Sequence, residues 1–277
     1  MSGYYWLASY PKSGNTWLRM FLDSLALGGA SPDINSPGID NAATRDRFDR
    51  ILDIESSDLT DDEIACARPR MYELEADAAP RPLLRKVHDA WGLTPAGEPL
   101  LPVGLTLGAL YIVRDPRDVA VSLAHHMNDT IDKSIALMAN PAGTMATSEK
   151  RLLRQLPQRL TTWSAHVESW LAAPVRILLL KYEDMLSDPI ARFGEASRFL
   201  GFDASMEAIT SAVEATGFER LRAQENTHGF AEAPPGMARF FRRGVAGGWR
   251  DTLTEQQVAR IEADHGAMMR KLGYLPA

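Results

Sequence analysis

The stretch at residues 10–17, YPKSGNTW, places a cation, two hydroxyls and a glycine between an apolar run and a helical pattern. The first N–H groups of a helix have no partner inside the helix, and the helix dipole favours an anion beside them. Gly14 lets the backbone approach closely, and Lys12 adds a positive charge. Ser13 and Thr16 add hydroxyl donors. The stretch predicts a P-loop-like phosphate-binding loop, although the spelling GxxxxGK[ST] is absent. An ordinary strand-to-helix turn with a solvated lysine is the alternative.

A second anion-binding segment lies at the end of another apolar run. Arg114 closes this run, and Ser122 follows eight residues later in a helical pattern. A guanidinium binds phosphate bidentately, so this pair suits a second phosphate. The alternative is a surface ion pair between Arg114 and Asp115 or Asp118, which would contribute little energy.

A third segment carries Arg242, Arg243 and Gly244 directly after Phe240 and Phe241. Two arginines and a glycine flanked by aromatic side chains suit a loop that closes over an anion. A solvated basic loop is the alternative interpretation of an isolated arginine pair.

A fourth segment, at residues 86–88, offers proton chemistry. In a strand, Lys86 and His88 lie on the same face because side chains alternate. Histidine has an ordinary pKa of about 6.5, which suits a general base near neutral pH. The alternative is a strand-end histidine that hydrogen-bonds a backbone carbonyl.

Strands and helices must bring the candidate residues of these four segments together. Apolar runs predict buried strands at residues 4–9, 83–87, 109–113 and 175–180. Helical patterns occupy residues 16–27, 117–126, 150–171 and 189–200, and Asp115-Pro116 forms a helix start. Strands that alternate with helices predict an α/β fold with a central parallel β-sheet flanked by helices on both sides. Such sheets bind ligands at the carboxyl ends of their strands. Residues 28–41, 127–147 and 224–236 are expected to be loops.

The composition narrows the class of protein. The chain has 277 residues and no repeat, so we expect one domain over residues 1–277. A net charge of −6 argues against a nucleic-acid partner. The single cysteine, Cys66, excludes an intrachain disulfide. No apolar run approaches the roughly 20 residues of a membrane helix, and no signal peptide is apparent. We therefore expect a cytoplasmic protein without a membrane span, and its oligomeric state is open.

The chain offers no clear metal site. HxxxH and CxxC patterns are absent, and the adjacent residues His125 and His126 would face different directions on a helix. We expect no metal, because lysines and arginines can meet the anionic groups.

Together the four segments resemble the cytosolic-type sulfotransferase family. Its donor loop reads much like TYPKSGTTW, against SYPKSGNTW at residues 9–17, and its 3′-phosphate segment has the Arg114–Ser122 spacing. Its late loop reads RKGxxGxW, against RRGVAGGW at residues 242–249, and its catalytic segment reads KxH. A YEDM segment also recurs at residues 182–185. The order along the chain agrees, and the resemblance spans nearly all of it.

The resemblance implies an enzyme of the EC 2.8.2 class that transfers a sulfonate from 3′-phosphoadenosine 5′-phosphosulfate (PAPS) to a hydroxyl or amine of a small-molecule acceptor. The product is 3′-phosphoadenosine 5′-phosphate (PAP). The implied 5′-phosphosulfate site consists of Lys12, Ser13, Gly14, Asn15 and Thr16. The implied 3′-phosphate site consists of Arg114, Ser122, Arg242, Arg243 and Gly244. The implied adenine site consists of Trp17, Tyr182, Thr216, Gly217 and Phe218, with apolar packing from Leu221 and Phe241. His88 would be the general base, and Lys12 and Lys86 would neutralise charge during transfer.

The sequence also departs from the family pattern. Asn15 replaces a usual threonine, and the dimerisation pattern KxxxTVxxxE of animal members is not kept at residues 250–259. We expect residues 28–80 and 127–150 to be variable acceptor-side segments, and residues 224–250 to form a donor-covering loop. A catalytically silent nucleotide-binding module and a nucleotide-dependent kinase are the competing functions. The acceptor could be a phenol, alcohol, amine, lipid or glycosylated natural product.

Overall fold

The computed structural model describes residues 2–148, 151–234, 236–237 and 239–276. Its described residues group into two compact units. The first unit comprises residues 2–10, 40–111 and 140–178. The second unit comprises residues 11–39, 112–139 and 179–276. The prediction of a single domain over the whole chain stays a prediction.

A four-stranded parallel sheet has the order β2-β1-β3-β6. Its strands are β1 (Tyr4–Ser9), β2 (Leu83–Val87), β3 (Thr106–Val113) and β6 (Ile177–Lys181). β1 and β2 pair in parallel register from Tyr4 opposite Leu83 to Ala8 opposite Val87. The last six residues of β3 are all buried, as expected of a strand covered on both faces. The predicted α/β fold with helices on both sides of a parallel sheet is confirmed.

The helices fall between and after these strands. They are α1 (Asn15–Ala26), α2 (Arg45–Leu52), α3 (Asp61–Ala78), α4 (Pro116–Met127), α5 (Ile131–Met138), α6 (Trp163–Leu171), α7 (Tyr182–Ser187), α8 (Pro189–Phe199), α9 (Met206–Ala215), α10 (Phe218–His228) and α11 (Glu255–Lys271). Short 3₁₀ turns occur at Ser56–Asp58, Val103–Leu105 and Gly248–Asp251. A two-stranded antiparallel ribbon pairs β4 (Thr144–Met145) with β5 (Gln158–Arg159).

The helix that starts after the phosphate loop and the helix that starts at Asp115 are both where the sequence predicts them. The Asp115 carboxylate accepts a hydrogen bond from the N–H of Arg117, and Pro116 occupies the first helical position. This is the aspartate cap with proline that the sequence indicates.

The predicted helix at residues 150–171 is wrong over its first part. Residues 149–150 lie outside the described residues, and α6 begins only at Trp163. Pro157 has no N–H to donate and disfavours a helical residue before it. Thr161 has a φ of 59°, outside the α-helical region. The intervening chain instead forms β5.

Two of the predicted loops also contain regular structure. Residues 127–147 include α5, which begins after Thr130 accepts a hydrogen bond from the N–H of Lys133 and buries Ile135 and Met138. Residues 224–228 complete α10. Residues 28–41 contain neither helix nor strand, apart from an isolated β-bridge at Asn41.

Candidate active site

The loop of residues 11–14 leads into α1 in the second unit. Gly14 caps this helix with φ 109°, a left-handed conformation, and no side chain caps the helix N-terminus. A Cβ at Gly14 would lie 2.6 Å from Cδ2 of Tyr182, so only glycine lets the loop lie on this ring. Lys12 also has a positive φ, 70°, which is uncommon for a residue with a side chain. The loop therefore presents the uncapped first turn of α1, the arrangement that binds anions.

Tyr182 and Arg114 lie directly against this loop. The guanidinium carbon of Arg114 is 4.4 Å from the centre of the Tyr182 ring, and Nη1 of Arg114 donates to the carbonyl oxygen of Lys12 at 3.2 Å. The Trp17 ring meets the rings of Tyr182 and Phe193 edge-on, with centroids 6.3 Å and 4.9 Å apart. Tyr182, which the sequence links to the adenine site only by resemblance, is thus a neighbour of the predicted phosphate loop.

An arginine cluster, formed by Arg114, Arg242 and Arg243, carries the positive charge of this region. Burial lowers the pKa of Arg242, and the positive charges of Arg243 and Arg114 lower it further. Burial and the charges of Arg242 and Arg243 also lower the pKa of His125. Cations that repel one another in this way are stabilised by an anion between them. The structure thus brings together arginines that are 128 positions apart in the sequence.

Asp115 and Asp118, the two residues that could form a surface ion pair with Arg114, both make other hydrogen bonds. Asp115 pairs with Arg117, whose Nη2 donates to Asp115 Oδ2 at 2.7 Å. The Asp118 carboxylate accepts from the backbone N–H groups of Gly247 and Trp249 at 2.7 Å and 2.9 Å. Nη2 of Arg114 donates to the carbonyl oxygen of Val245 at 3.0 Å. Asp118 therefore fastens the late glycine-rich loop to α4, a role that the sequence analysis missed.

The start of the late loop is held by a residue that the sequence did not single out. The Glu225 carboxylate accepts from the N–H of Phe240 at 2.5 Å and from the N–H of Phe241 at 2.9 Å. Nζ of Lys12 lies 3.8 Å from the centre of the Phe240 ring. Glu225 thus positions the aromatic pair that precedes Arg242, and no sequence pattern would have found it.

The remaining predicted donor-site residues are placed as follows. A Cβ at Gly244, which has φ 63°, would lie 2.2 Å from Cδ2 of Phe218, so these two residues are in close contact. The rings of Phe218 and Phe241 meet edge-on with centroids 6.5 Å apart. Ser122 lies in α4 and is partly buried. Thr216 follows α9 and is fully buried, and its hydroxyl donates to the carbonyl oxygen of Ala212 at 2.7 Å.

The donor set fits a phosphate- and sulfate-bearing nucleotide. Ser13 Oγ and Trp17 Nε1 are buried and have no hydrogen-bond partner among the described residues, which is unusual for polar atoms in a folded protein. Together with Lys12 and the arginine cluster they offer only cations and N–H or O–H donors. Within the described residues, no group of three or more His, Cys, Asp or Glu side chains could hold a metal ion.

The first unit carries two of the predicted catalytic residues at the end of β2: His88, the predicted general base, and Lys86, which is predicted to neutralise charge. Lys86 and His88 are both buried. The Nδ1 atom of His88 lies 2.8 Å from the carbonyl oxygen of Ser9. A carbonyl oxygen only accepts, so Nδ1 carries a proton, and in the neutral ring Nε2 keeps its lone pair. This is the hydrogen bond to a backbone carbonyl that the sequence offers as the alternative to a catalytic role. It also selects the tautomer that a general base acting through Nε2 requires.

A buried network holds the backbone at His88 and Asp89. Nη2 of Arg68 donates to Asp89 Oδ2 at 2.6 Å, and both side chains are almost fully buried. Nε2 of His166 donates to the carbonyl oxygen of His88 at 3.0 Å, while His166 Nδ1 lies 2.8 Å from the Tyr111 hydroxyl. Burial lowers the pKa of His166 to about 4, so this ring is neutral. Asp89 and His166 were not identified from the sequence, since neither belongs to a motif considered there.

A cleft of about 350 Å³ opens in the first unit between residues 45–64 and residues 146–157. Both stretches overlap the predicted acceptor-side segments. The lining combines the charged side chains of Arg45 and Arg151 with apolar side chains such as Leu59 and Ile64. The size falls within the range of small-molecule sites, but the lining is more polar than is usual for them.

The sequence profile of the family described as "Sulfotransferase domain" matches residues 4–273. The chain belongs to the sulfotransferase family. Sulfotransferase 1A1 of Canis lupus familiaris is 26% identical over 273 residues, covering 96% of this chain and 83% of the relative. Sulfotransferase 1E1 of Rattus norvegicus is also 26% identical, over 276 residues, with coverages of 95% and 82%.

Solved sulfotransferase structures share the fold. A mouse sulfotransferase complexed with PAP aligns with a TM-score of 0.63 at 20% identity, covering 97% of this chain and 85% of that one. Retinol dehydratase in a complex with retinol and PAP aligns with a TM-score of 0.62 at 22% identity, with coverages of 98% and 82%. The predicted enzyme class, a PAPS-dependent sulfotransferase, is confirmed at the level of the family. Among the helices that the structure describes, none has the length and apolar character needed to cross a membrane.

Proposed function

We propose that this sulfotransferase moves the sulfonate of PAPS to a hydroxyl or amine of a small-molecule acceptor, with His88 as the general base. The observation that supports it most is the arginine cluster beside the loop of Lys12. Two separate groups of cations match a nucleotide that carries a 3′-phosphate as well as a 5′-phosphosulfate. ATP and 5′-AMP lack the 3′-phosphate, which is why the cluster favours this donor over that of a kinase.

Each residue has a distinct proposed role in the transfer. His88 Nε2 takes the proton from the attacking hydroxyl, because its other ring nitrogen donates to Ser9. Lys12 and the N-terminus of α1 meet the charge that builds on the departing 5′-phosphate oxygen. Lys86 neutralises the sulfonate oxygens. The buried His88 and Lys86 would have no such use in a silent binding module.

The proposed nucleotide contacts divide into three groups. The 5′-phosphosulfate is held by Lys12, Ser13, Gly14, Asn15 and Thr16. The 3′-phosphate is held by Arg114, Ser122, Arg242, Arg243 and Gly244. The adenine is held by Trp17, Tyr182, Thr216, Phe218 and Phe241, with Thr216 acting through its backbone because its hydroxyl donates within α9. We further propose the cleft of the first unit as part of the acceptor site, and a cytoplasmic location.

Calorimetric titration with PAP, 5′-AMP and ATP tests the donor assignment. We expect PAP to bind at least about tenfold more tightly than 5′-AMP, a difference of about 1.4 kcal/mol. Equal affinity for PAP and 5′-AMP, or a preference for ATP with magnesium, would reject PAPS as the donor.

A further inference from the structure

Asn41 has a buried donor group with no protein acceptor. Its Nδ2 atom is buried and makes no hydrogen bond to any described residue. Leaving such a donor unsatisfied costs about 1–3 kcal/mol, so an unpaired buried amide calls for an explanation. A ligand oxygen that the amide meets during the reaction is one explanation.

The rest of Asn41 is firmly held. Its side-chain oxygen accepts from the N–H of Ala43 at 2.9 Å, and its carbonyl oxygen accepts from Arg47 Nη1 at 2.7 Å. Because Oδ1 is engaged in the local turn, the orientation of the amide is fixed and the NH₂ group points away from the turn. The unsatisfied donor is therefore pre-oriented rather than free to rotate.

The sheet register places Asn41 beside Lys86. Asn41 and Lys86 form an isolated parallel β-bridge, in which Lys86 N–H donates to Asp40 at 2.9 Å and Ala42 N–H donates to Lys86 at 2.8 Å. Directly paired residues of neighbouring strands point to the same face, and such strands lie about 4.8 Å apart. On its other side Lys86 is paired with Leu7, which has no polar side-chain atom. Asn41 is thus the polar neighbour of Lys86 in this row.

We infer that the Asn41 amide donates a hydrogen bond to an oxygen of the transferred sulfonate, next to the Lys86 ammonium. An ammonium and an amide NH₂ are both donors and cannot satisfy each other, whereas a sulfonate offers three acceptor oxygens. Hydrogen bonds to an ionised acceptor are the strong ones. This inference rests on the proposed function, since it needs PAPS as the donor and Lys86 on its sulfonate.

The test compares PAPS, which carries the sulfonate, with PAP, which lacks it. Calorimetric titrations without acceptor give the ratio of the two affinities for the wild-type protein and for Asn41→Ala. We expect Asn41→Ala to weaken PAPS binding about tenfold relative to PAP, which corresponds to about 1.4 kcal/mol. An unchanged ratio, or equal losses for both nucleotides, would overturn the inference.

Two further variants distinguish the loss of the Asn41 NH₂ donor from the loss of the turn that its Oδ1 forms with Ala43. Asn41→Ser and Asn41→Asp each keep a side-chain oxygen that can accept from Ala43, but lack the NH₂ group. If Asn41 only supports the turn, both variants match the wild type. If it binds the sulfonate, Asn41→Ser loses PAPS affinity in part, because its shorter side chain keeps one O–H donor, and Asn41→Asp loses more than Asn41→Ala because it has no donor and adds a negative charge. These variants also keep the test open if Asn41→Ala fails to fold.

Asn140→Ala is the matched control. Asn140 is exposed, and its Oδ1 accepts from the N–H of Ala142 at 2.9 Å, the same kind of turn as at Asn41. We expect its ratio of affinities to equal that of the wild type; a shift as large as that of Asn41→Ala would assign the effect to general loss of a turn. If the wild-type protein does not prefer PAP over 5′-AMP, the proposed function itself fails and the inference fails with it.

Discussion

The arginine cluster of the second unit and the histidine strand of the first unit, β2 with the following His88, hold their functional groups by different means. Arg114 follows β3, whereas Arg242 and Arg243 lie on a late loop that Asp118 and Glu225 fasten through backbone N–H groups. Lys86 instead lies in β2 and His88 directly follows it, and the Ser9 carbonyl sets the tautomer of the ring.

This difference in construction predicts a difference in sensitivity. Arg243 is partly exposed, with 46% of its side chain accessible, so its contribution should come from charge and respond to salt. His88 is buried, and its contribution should depend on which ring nitrogen carries the proton. Variants in the arginine cluster should change donor affinity, whereas variants in the histidine strand should change turnover.

The largest expected effect belongs to His88. His88→Gln should lower turnover at least about 100-fold, because the general base is lost. PAP affinity should change little, since His88 is assigned no donor contact. Rates come from PAP formation with an acceptor and affinity from calorimetry. Near wild-type turnover in the purified variant would remove His88 from the mechanism.

The next effect concerns the arginine cluster. Arg243→Ala and Arg114→Ala should each weaken PAP binding about tenfold, or about 1.4 kcal/mol, with a smaller loss for 5′-AMP. Arg192→Ala is the control, because Arg192 pairs with Glu195 within α8 at 2.9 Å and its side chain is 40% exposed. Equal losses for PAP and 5′-AMP would place the two arginines away from the 3′-phosphate.

Glu225 should have an intermediate effect on the same measurement. Glu225→Gln leaves one oxygen for the N–H groups of Phe240 and Phe241, so the late loop should be less well fixed. We expect PAP affinity to fall about threefold to fivefold, the loss of one modest hydrogen bond. Glu219→Gln on the same helix is the control, since that side chain is 80% exposed. If the two variants bind PAP alike, Glu225 does not position the donor site.

The smallest effect is a pH dependence of stability from His166. Its pKa is about 4 in the folded protein, below the ordinary value of 6.5, because the ring is buried. The unfolded chain therefore binds a proton first as the pH falls below 6.5, and stability is lost towards pH 4. When the pH is lowered from 7 to 5.5, protonation of His166 in the unfolded chain should lower the free energy of unfolding by about 1 kcal/mol.

Urea unfolding of the wild type and His166→Gln at both pH values measures this term. The buried His265, whose pKa is also lowered to about 4, contributes equally to both proteins and cancels in the comparison. The variant should lose about 1 kcal/mol less than the wild type over this interval. The same loss in both proteins would show that His166 is not the titrating group.

The sequence predicts elements well where local chemistry is strong. The boundaries of β1 and β2 agree with the structure. β1 is a short apolar run, and β2 keeps apolar residues at both ends around Arg85 and Lys86. The helix at residues 150–171 was wrong because Pro157 and Thr161 interrupt an otherwise helical pattern. α5 was missed because it is only eight residues long and lies between loop-like stretches, although five of its residues are apolar.

The amino-acid sequence by itself determined the sheet class and the family, because these depend on contiguous motifs and on their order along the chain. It also predicts the phosphate loop. Only the tertiary structure decided which residues support them. Glu225 meets Phe240 across 15 positions, and Asn41 meets Lys86 across 45. Such partners are ordinary residues in polar surroundings, and their roles arise from burial and register. Those properties exist only once distant segments have paired.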